Sequence, residues 1–168
     1  MDKETLKAKI WDCTISFEEL DNFFGDKAQD HSELIVTLLQ DSLHEKNGDA
    51  VEYLIYAVEK NGVKELYTDV LCQLLDVREE WLYKHEDIAT LLGKIGSPKS
   101  VASLYKLAND YETSDIHSIP LKAMWSLRLI GNEDAVNRLK ELSSSSDEKK
   151  AGIAKQQLEY LKNAEEST

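Results

Sequence analysis

A histidine followed by a glutamate is the first feature of the sequence that could do chemistry, because this pair opens the HExxH signature of a zinc-binding helix. His85 and Glu86 match its first two positions, but Ala89 stands where the second zinc-binding histidine is needed. The glycine-rich signatures of phosphate-binding loops are absent from the sequence. The sequence therefore predicts no catalytic residue, no metal site and no cofactor. The remaining histidines have no cysteine or histidine at ligand spacing: His31, His44 and His117.

Acidic residues beside a tyrosine indicate a different chemistry, which is the binding of another protein. One such segment contributes four candidates: Asp76, Glu79, Glu80 and Tyr83. If the segment is helical, Glu79, Glu80 and Tyr83 lie within one turn and share a face. An exposed tyrosine gives a binding partner a large contact area at low cost in conformational entropy. The alternative interpretation is that Glu79 and Glu80 only interact favourably with the dipole at the start of a helix.

A second acidic and aromatic group stands in the longest predicted loop, residues 109–118. Its candidates for partner binding are Asp110, Tyr111, Glu112 and Asp115. Loops carry binding residues more often than the elements they connect. An ordinary solvated connection between two helices explains the same residues, so both interpretations stay open.

The charge of the chain restricts the class of partner. The 168 residues include 20 Lys and Arg against 32 Asp and Glu, which gives a formal net charge of −12. Residues 1–60 carry −8, residues 61–120 carry −4 and residues 121–168 are neutral. A nucleic acid or an anionic membrane needs clustered basic residues, so both are disfavoured as partners. A basic protein fits better, although an acidic surface also simply keeps a small protein soluble.

The elements that position these candidates are predicted to be helices, because apolar residues recur at helical spacing along nearly the whole chain. With only 2 prolines and 7 glycines, the sequence has too few turn residues for an all-β fold. Ser16 and Glu19 have the spacing of a capping box, and Asp49 is expected to cap a later helix. A long helix is expected over residues 79–95, before the loop at residues 109–118.

A repeat of 34–35 residues gives the strongest prediction about the fold. The segment 91–104 is in register with the segment 126–139, and each contains a glycine between two helical stretches. A helix, a glycine turn and a second helix at this period indicate an α-solenoid, in which neighbouring helix pairs stack to share a core. The expected turn residues are Gly62, Gly96 and Gly131, each in a left-handed conformation.

The segments LGKIGSPKSV, at residues 92–101, and LRLIGNEDAV, at residues 127–136, resemble the HEAT-like repeats of the phycobilin-lyase type. The resemblance implies an all-α fold, namely a short right-handed α-solenoid of HEAT-like helical hairpins in a single domain. The expected parts are an N-terminal helical cap (1–48), hairpin repeats (49–142), a closing helix (147–162) and a frayed tail (163–168).

A small acidic chain with no catalytic motif also resembles, as a class, the immunity proteins of bacterial contact-dependent growth inhibition systems. The resemblance implies a non-catalytic module that neutralises a cognate basic, nuclease-type toxin by electrostatic and steric occlusion of its active site. Two alternatives remain open: a HEAT-like scaffold or adaptor with another partner, and a lyase-like accessory factor. The two distant cysteines, Cys13 and Cys72, and the charged N-terminus predict a cytoplasmic protein with no membrane partner.

Overall fold

The structure, a computed structural model, describes residues 1–26, 28–110 and 119–166. Within these ranges the protein is all-helical, with ten α-helices and no β-strand. The chain divides into two compact units, Met1–Lys84 and His85–Thr168. Each unit has its own helices and buried apolar residues, and the two are described in turn.

The first unit is built around its fourth helix. Helix α4 contacts α1, α2 and α3, and α3 also contacts α5. Because α4 is surrounded in this way, one side of it is fully buried and includes Val51, Leu54 and Val58. A short 3-10 helix (Glu65–Tyr67) precedes α5. The bounds are α1 (Lys3–Trp11), α2 (Phe17–Phe24), α3 (Ser32–Glu45), α4 (Gly48–Asn61) and α5 (Thr68–Leu75).

The caps of these helices agree in part with the sequence. The capping box of α2 is confirmed, since Ser16 and Glu19 exchange hydrogen bonds between side chain and backbone. The prediction that Asp49 caps α4 is wrong. The side chain of Asn47 accepts the hydrogen bond from the Ala50 amide at 2.9 Å, and the helix begins at Gly48. Because Asn47 takes the capping position, Asp49 lies inside the first turn of α4.

The predicted start of a helix at residue 79 is also wrong. Helix α5 ends at Leu75, the next helix begins at His85, and residues 76–84 form a non-helical connection. Leu82 in this connection is only 3% exposed. The carbonyl oxygen of Trp81 lies so near Gly48 that a Cβ added there would be 2.0 Å from it. Packing against α4 therefore overrides the local helical preference of this segment.

The second unit is built around its third helix. Helix α8 contacts α6, α7, α9 and α10. Its contact with α6 is close, because the hydroxyl of Ser126 donates a 2.7 Å hydrogen bond to the carbonyl of Ala89. The closing helix runs four residues beyond its expected end at residue 162. The bounds are α6 (His85–Ile95), α7 (Val101–Asp110), α8 (Ile119–Ile130), α9 (Glu133–Leu142) and α10 (Glu148–Glu166).

The three predicted turn glycines all have a positive φ at a helix end, but Gly62, with a ψ of 138°, is not in the left-handed helical region. Gly62, Gly96 and Gly131 follow the last residues of α4, α6 and α8, and their φ angles are 91°, 74° and 60°. A positive φ is easy for glycine because it has no Cβ to clash with the backbone. The chain can therefore leave each helix within one residue and turn towards the next.

Replacing Gly96 by alanine is expected to lower the free energy of unfolding by about 1 kcal/mol, because the new side chain must adopt a left-handed backbone. No atom lies within 4 Å of the added Cβ, so the cost is one of conformation alone. Urea denaturation measures the loss of unfolding free energy. G96N should lose less free energy than G96A, because asparagine tolerates the left-handed region better than alanine. G152A is the control: Gly152 is exposed inside α10 with open space around it, so alanine should stabilise that helix. Equal effects of G96A and G152A would contradict the assignment.

Candidate functional site

The negative charge of the protein is concentrated in the first unit. Met1–Lys84 contains 19 Asp and Glu against 9 Lys and Arg, a net charge of −10. His85–Thr168 contains 13 against 11, a net charge of −2. A surface that attracts a basic partner is therefore to be sought in the first unit.

An exposed tyrosine held by two carboxylates is the most distinctive arrangement in that unit. The side chain of Tyr83 is 53% exposed. Its hydroxyl donates a 2.7 Å hydrogen bond to Oδ1 of Asp49 and lies 3.2 Å from Oε2 of Glu52. The two acidic residues share a face because they are three positions apart on α4. Helix α4 thus fixes the direction of a tyrosine that belongs to an irregular segment.

The electrostatics of this arrangement are dominated by the carboxylates. Partial burial of the hydroxyl, the hydrogen bond to Asp49 and the negative charges of Asp49 and Glu52 all raise the pKa of Tyr83 above its ordinary value. One cation compensates in part: Nζ of Lys84 lies 2.8 Å from Oε1 of Glu52 and 5.0 Å from the centre of the Tyr83 ring. The tyrosine therefore stays protonated and keeps donating to the acids.

The charges of Asp49 and Glu52 also act on a cysteine. Partial burial of its thiol, and then the charges of Asp49, Asp12 and Glu52, raise the pKa of Cys13. A thiol with a raised pKa holds its proton and is a poor nucleophile. The thiol of Cys13 is thus not activated by the negatively charged surface beside it. We call Asp49, Glu52 and Tyr83 the Tyr83 surface.

The phenol of Tyr83 is expected to ionise at a higher pH than an ordinary tyrosine, and D49N should move its pKa back towards the ordinary value. Tyrosine ring resonances followed by NMR during a pH titration measure this, with Y83F providing the assignment. E80Q is the matched control, because it removes an exposed carboxylate of the same segment that does not contact the hydroxyl. Ordinary ionisation of Tyr83 in the unmodified protein would contradict the geometry.

The acidic residues next to Tyr83 in the sequence are not its partners. Glu79 and Glu80 are exposed, and Glu79 forms an ion pair with Lys46 at 2.6 Å. Asp76 is exposed at the C-terminal end of α5. The expectation that Glu79, Glu80 and Tyr83 share a helical turn is wrong, since the segment is not helical. The segment nevertheless presents three exposed carboxylates in the same unit as Tyr83.

One residue of the second predicted group, Asp110, lies within the described part of the chain. Asp110 is the last residue of α7 and is exposed. Tyr111, Glu112 and Asp115 lie outside the described residues. Asp110 belongs to the second unit, so it is described apart from the Tyr83 surface.

Asp49 and Glu52 are the two site residues that the sequence analysis missed. Neither is near Tyr83 in the sequence, and the hydrogen bond from Tyr83 to Asp49 spans 34 residues. That separation equals the shorter repeat period found in the sequence. The sequence could therefore have predicted the neighbours of Tyr83 by looking one repeat period before it.

A shallow pocket in the first unit is lined by residues of α1 and α2, including Lys9, Glu19 and Phe23. Lys9 forms an ion pair with Glu19 inside it. The ammonium of Lys9 and the backbone amide of Ser16 lower the pKa of Glu19 to about 2. A general acid or base needs a pKa near the working pH, so this carboxylate is unsuited to that role near neutrality.

Two further properties of the described residues bear on the class of protein. In residues 1–26, 28–110 and 119–166, no helix combines the length and apolar character required to cross a bilayer. Over the same ranges, no three His, Cys, Asp or Glu side chains are grouped so that they could hold a metal ion.

In comparisons with known proteins, no family model matches the chain, and no curated protein shows significant sequence similarity to it.

Proposed function

We propose that this chain is a non-catalytic protein-binding module, and specifically an immunity protein that neutralises a basic, nuclease-type bacterial toxin. The observation that carries the proposal is the Tyr83 surface, where an exposed tyrosine is held between two carboxylates in a unit of net charge −10. A nuclease needs a positively charged cleft to bind its nucleic acid. An acidic surface is attracted to such a cleft and excludes the substrate from it.

The tyrosine contributes binding energy to this surface in addition to the electrostatic attraction of the carboxylates. Binding energy in protein interfaces is concentrated in a few residues, and tyrosine is among the most frequent of them. Tyr83 is exposed, but its hydroxyl is fixed by α4, so little side-chain entropy is lost when a partner covers the ring. The carboxylates accelerate the encounter, and the ring stabilises the complex that results.

We also propose that the helices stack as a short right-handed α-solenoid of HEAT-like hairpins. In the second unit α6 contacts α8 and α7 contacts α9, so equivalent helices of two successive pairs are neighbours. Stacked repeats place each residue next to those about one period away. Several side-chain hydrogen bonds have that separation: Lys7–Asp41, Trp11–Glu45, Tyr56–Asp21, Tyr67–Ser32, Tyr83–Asp49 and Ser126–Ala89, at 34 to 37 residues.

The function is tested with the gene that neighbours the one for this chain. We expect it to encode a toxin with a basic C-terminal domain, and we expect co-expression of this chain to restore growth to cells that produce that domain. The purified pair should associate at least about tenfold more slowly at 500 mM than at 50 mM NaCl, because salt screens the attraction. Cells that still die, or the absence of a toxin gene beside this one, would overturn the proposal. A partner bound equally at both salt concentrations would favour the scaffold alternative.

Charge reversal then locates the surface. D49K/E52K should slow association about tenfold or more, because it replaces attraction by repulsion at the point of contact. E133K/E159K is the matched control, since it changes the net charge equally at exposed acids of the second unit. Equal effects of the two pairs would show that only the net charge matters and would remove Asp49 and Glu52 from the interface.

The acidic residues predicted from the sequence are tested in the same way. E79K/E80K should also slow association, because both side chains are exposed on the segment that carries Tyr83. An association rate equal to that of the unmodified chain would remove Glu79 and Glu80 from the interface.

A further inference from the structure

Three aromatic rings lie together on the surface of the first unit. Phe17, the first residue of α2, is 51% exposed. Its ring centre is 4.8 Å from that of Tyr56, in an edge-on arrangement, and 5.8 Å from that of Tyr53. Single exposed apolar residues are common on proteins, but an exposed ring supported by two others forms a prepared surface. We call Phe17, Tyr53 and Tyr56 the aromatic face.

The aromatic face is held in position by polar contacts. The hydroxyl of Tyr56 donates a 2.7 Å hydrogen bond to Oδ1 of Asp21, and Nζ of Lys60 lies 2.9 Å from the same oxygen. The Lys60 ammonium also lies 4.8 Å from the centre of the Tyr56 ring. The capping box of α2 fixes the backbone immediately before Phe17. A partner therefore meets rings that are already ordered, which lowers the entropic cost of binding.

The charges next to this face are mostly negative. Asp49, Glu52, Tyr53 and Tyr56 occupy one side of α4, at spacings of three, four and seven residues. The aromatic face is thus continuous with the acidic part of the Tyr83 surface. At its other end Lys60 is paired with Asp21, so it adds little net positive charge.

Aromatic rings beside carboxylates fit one side chain better than any other. The guanidinium of arginine is planar, stacks on aromatic rings and forms paired hydrogen bonds with carboxylates. An ammonium is a compact and strongly hydrated charge, and it gains less from a ring. The chemistry of the face therefore distinguishes arginine from lysine as well as from neutral residues.

We propose that the aromatic face is the docking site for an arginine-bearing segment of the basic protein partner. One guanidinium lies on the exposed ring of Phe17, and a second pairs with the carboxylate of Asp49, next to the Glu52–Lys84 ion pair. The proposal rests on the proposed function for the identity of the partner, and it adds the side chain that is recognised and the place where it binds.

The test uses a synthetic helical peptide that carries arginines along one face, observed by NMR of the protein at 50 mM NaCl. We expect chemical-shift changes at Phe17, Tyr53 and Glu52. The same peptide with lysine should bind about three- to tenfold more weakly, as the loss of stacking and paired hydrogen bonds implies. The peptide with citrulline, which keeps the shape of arginine without its charge, should not bind.

Variants of the protein complete the test. F17A should weaken binding of the arginine peptide about five- to tenfold, and F17L should remove the preference for arginine over lysine while it keeps an apolar side chain at this position. L66A is the control, since Leu66 is a 46% exposed apolar residue of the same unit. Unchanged binding by F17A, an equal loss in L66A, or shifts confined to other surfaces would overturn the proposal.

The two proposals fail in different ways. If the unmodified chain does not restore growth, the immunity function is wrong, while the peptide experiment still shows whether the face binds arginine. If the unmodified chain restores growth and F17A binds the toxin domain with the same affinity, only the docking site is wrong.

Discussion

Replacing Gly48 by alanine is expected to displace the segment that carries Tyr83 and to lower the free energy of unfolding by at least about 2 kcal/mol. An added Cβ would lie 2.0 Å from the carbonyl oxygen of Trp81 and 3.2 Å from Cε1 of Tyr83. Backbone atoms cannot move aside as the end of a flexible side chain can. Either α4 or the segment at residues 76–84 must therefore shift.

The displacement has local consequences that can be measured besides stability. The indole nitrogen of Trp81 is buried and has no hydrogen-bond partner among the described residues, so its proton should exchange with water faster in G48A. The pKa of Tyr83 should fall towards its ordinary value, because its hydroxyl leaves Asp49. The control is again G152A, which adds the same methyl group where there is space. If G48A keeps both the stability and the raised pKa of Tyr83, the close approach is wrong.

Replacing Gly93 by alanine is expected to destabilise the second unit by about 3 kcal/mol, because it overpacks the interface between α6 and α8. The added Cβ would lie 2.7 Å from Oγ of Ser126, 2.8 Å from its Cβ and 2.9 Å from its Cα. Ser126 is fully buried, so neither helix can yield without disturbing the core. Urea denaturation of the full chain, followed by circular dichroism, measures the loss.

A double variant separates this clash from other effects. In G93A/S126G the hydroxyl and Cβ of Ser126 are absent, so part of the stability lost in G93A should return. The recovery will be incomplete, because the added methyl group still meets the backbone of α8 and the hydrogen bond to Ala89 is lost. S126A alone should cost about 1 kcal/mol for that hydrogen bond. Simple additivity of G93A and S126G would contradict a direct clash between these residues.

Several features that depend on one residue and its immediate neighbours were predictable from the sequence, although the cap of α4 at Asn47 was not. Gly62, Gly96 and Gly131 were expected to be left-handed, and all three have a positive φ, although the ψ of 138° at Gly62 departs from the left-handed helical region. Helix α8 ends at Ile130, directly before Gly131, as the repeat indicated. In each case the signal is local, because a glycine after an apolar helical stretch favours a turn whatever the rest of the chain does.

Features that depend on distant packing were not predictable. Acidic residues and apolar spacing favour a helix starting at residue 79, but the close approach of Trp81 to Gly48, 33 residues earlier, imposes an irregular path. The partners of Tyr83 belong to α4 for the same reason. The site was thus predicted in part: the tyrosine and the kind of chemistry came from local composition, whereas Asp49 and Glu52 required the tertiary structure.

The first 48 residues also show that contacts between distant residues are not visible in the sequence. Their sequence carries no visible repeat, yet Lys7 bonds to Asp41 and the Trp11 indole to Glu45, both across 34 residues. The distance along the chain between touching residues follows from helix lengths and turns, which many sequences can produce. Contacting residues can therefore have a regular spacing along the chain even where the residue types themselves do not repeat.

The unequal division of charge between the two units decides how the molecule adsorbs to solid supports. With −10 on the first unit and −2 on the second, an anion-exchange resin at low ionic strength will retain the protein chiefly through its first unit. A sensor chip coated with polycations will do the same and will hide Tyr83 and Phe17 from any analyte. Covalent attachment through the thiol of a G152C variant, at an exposed position of α10, holds the protein by its second unit instead.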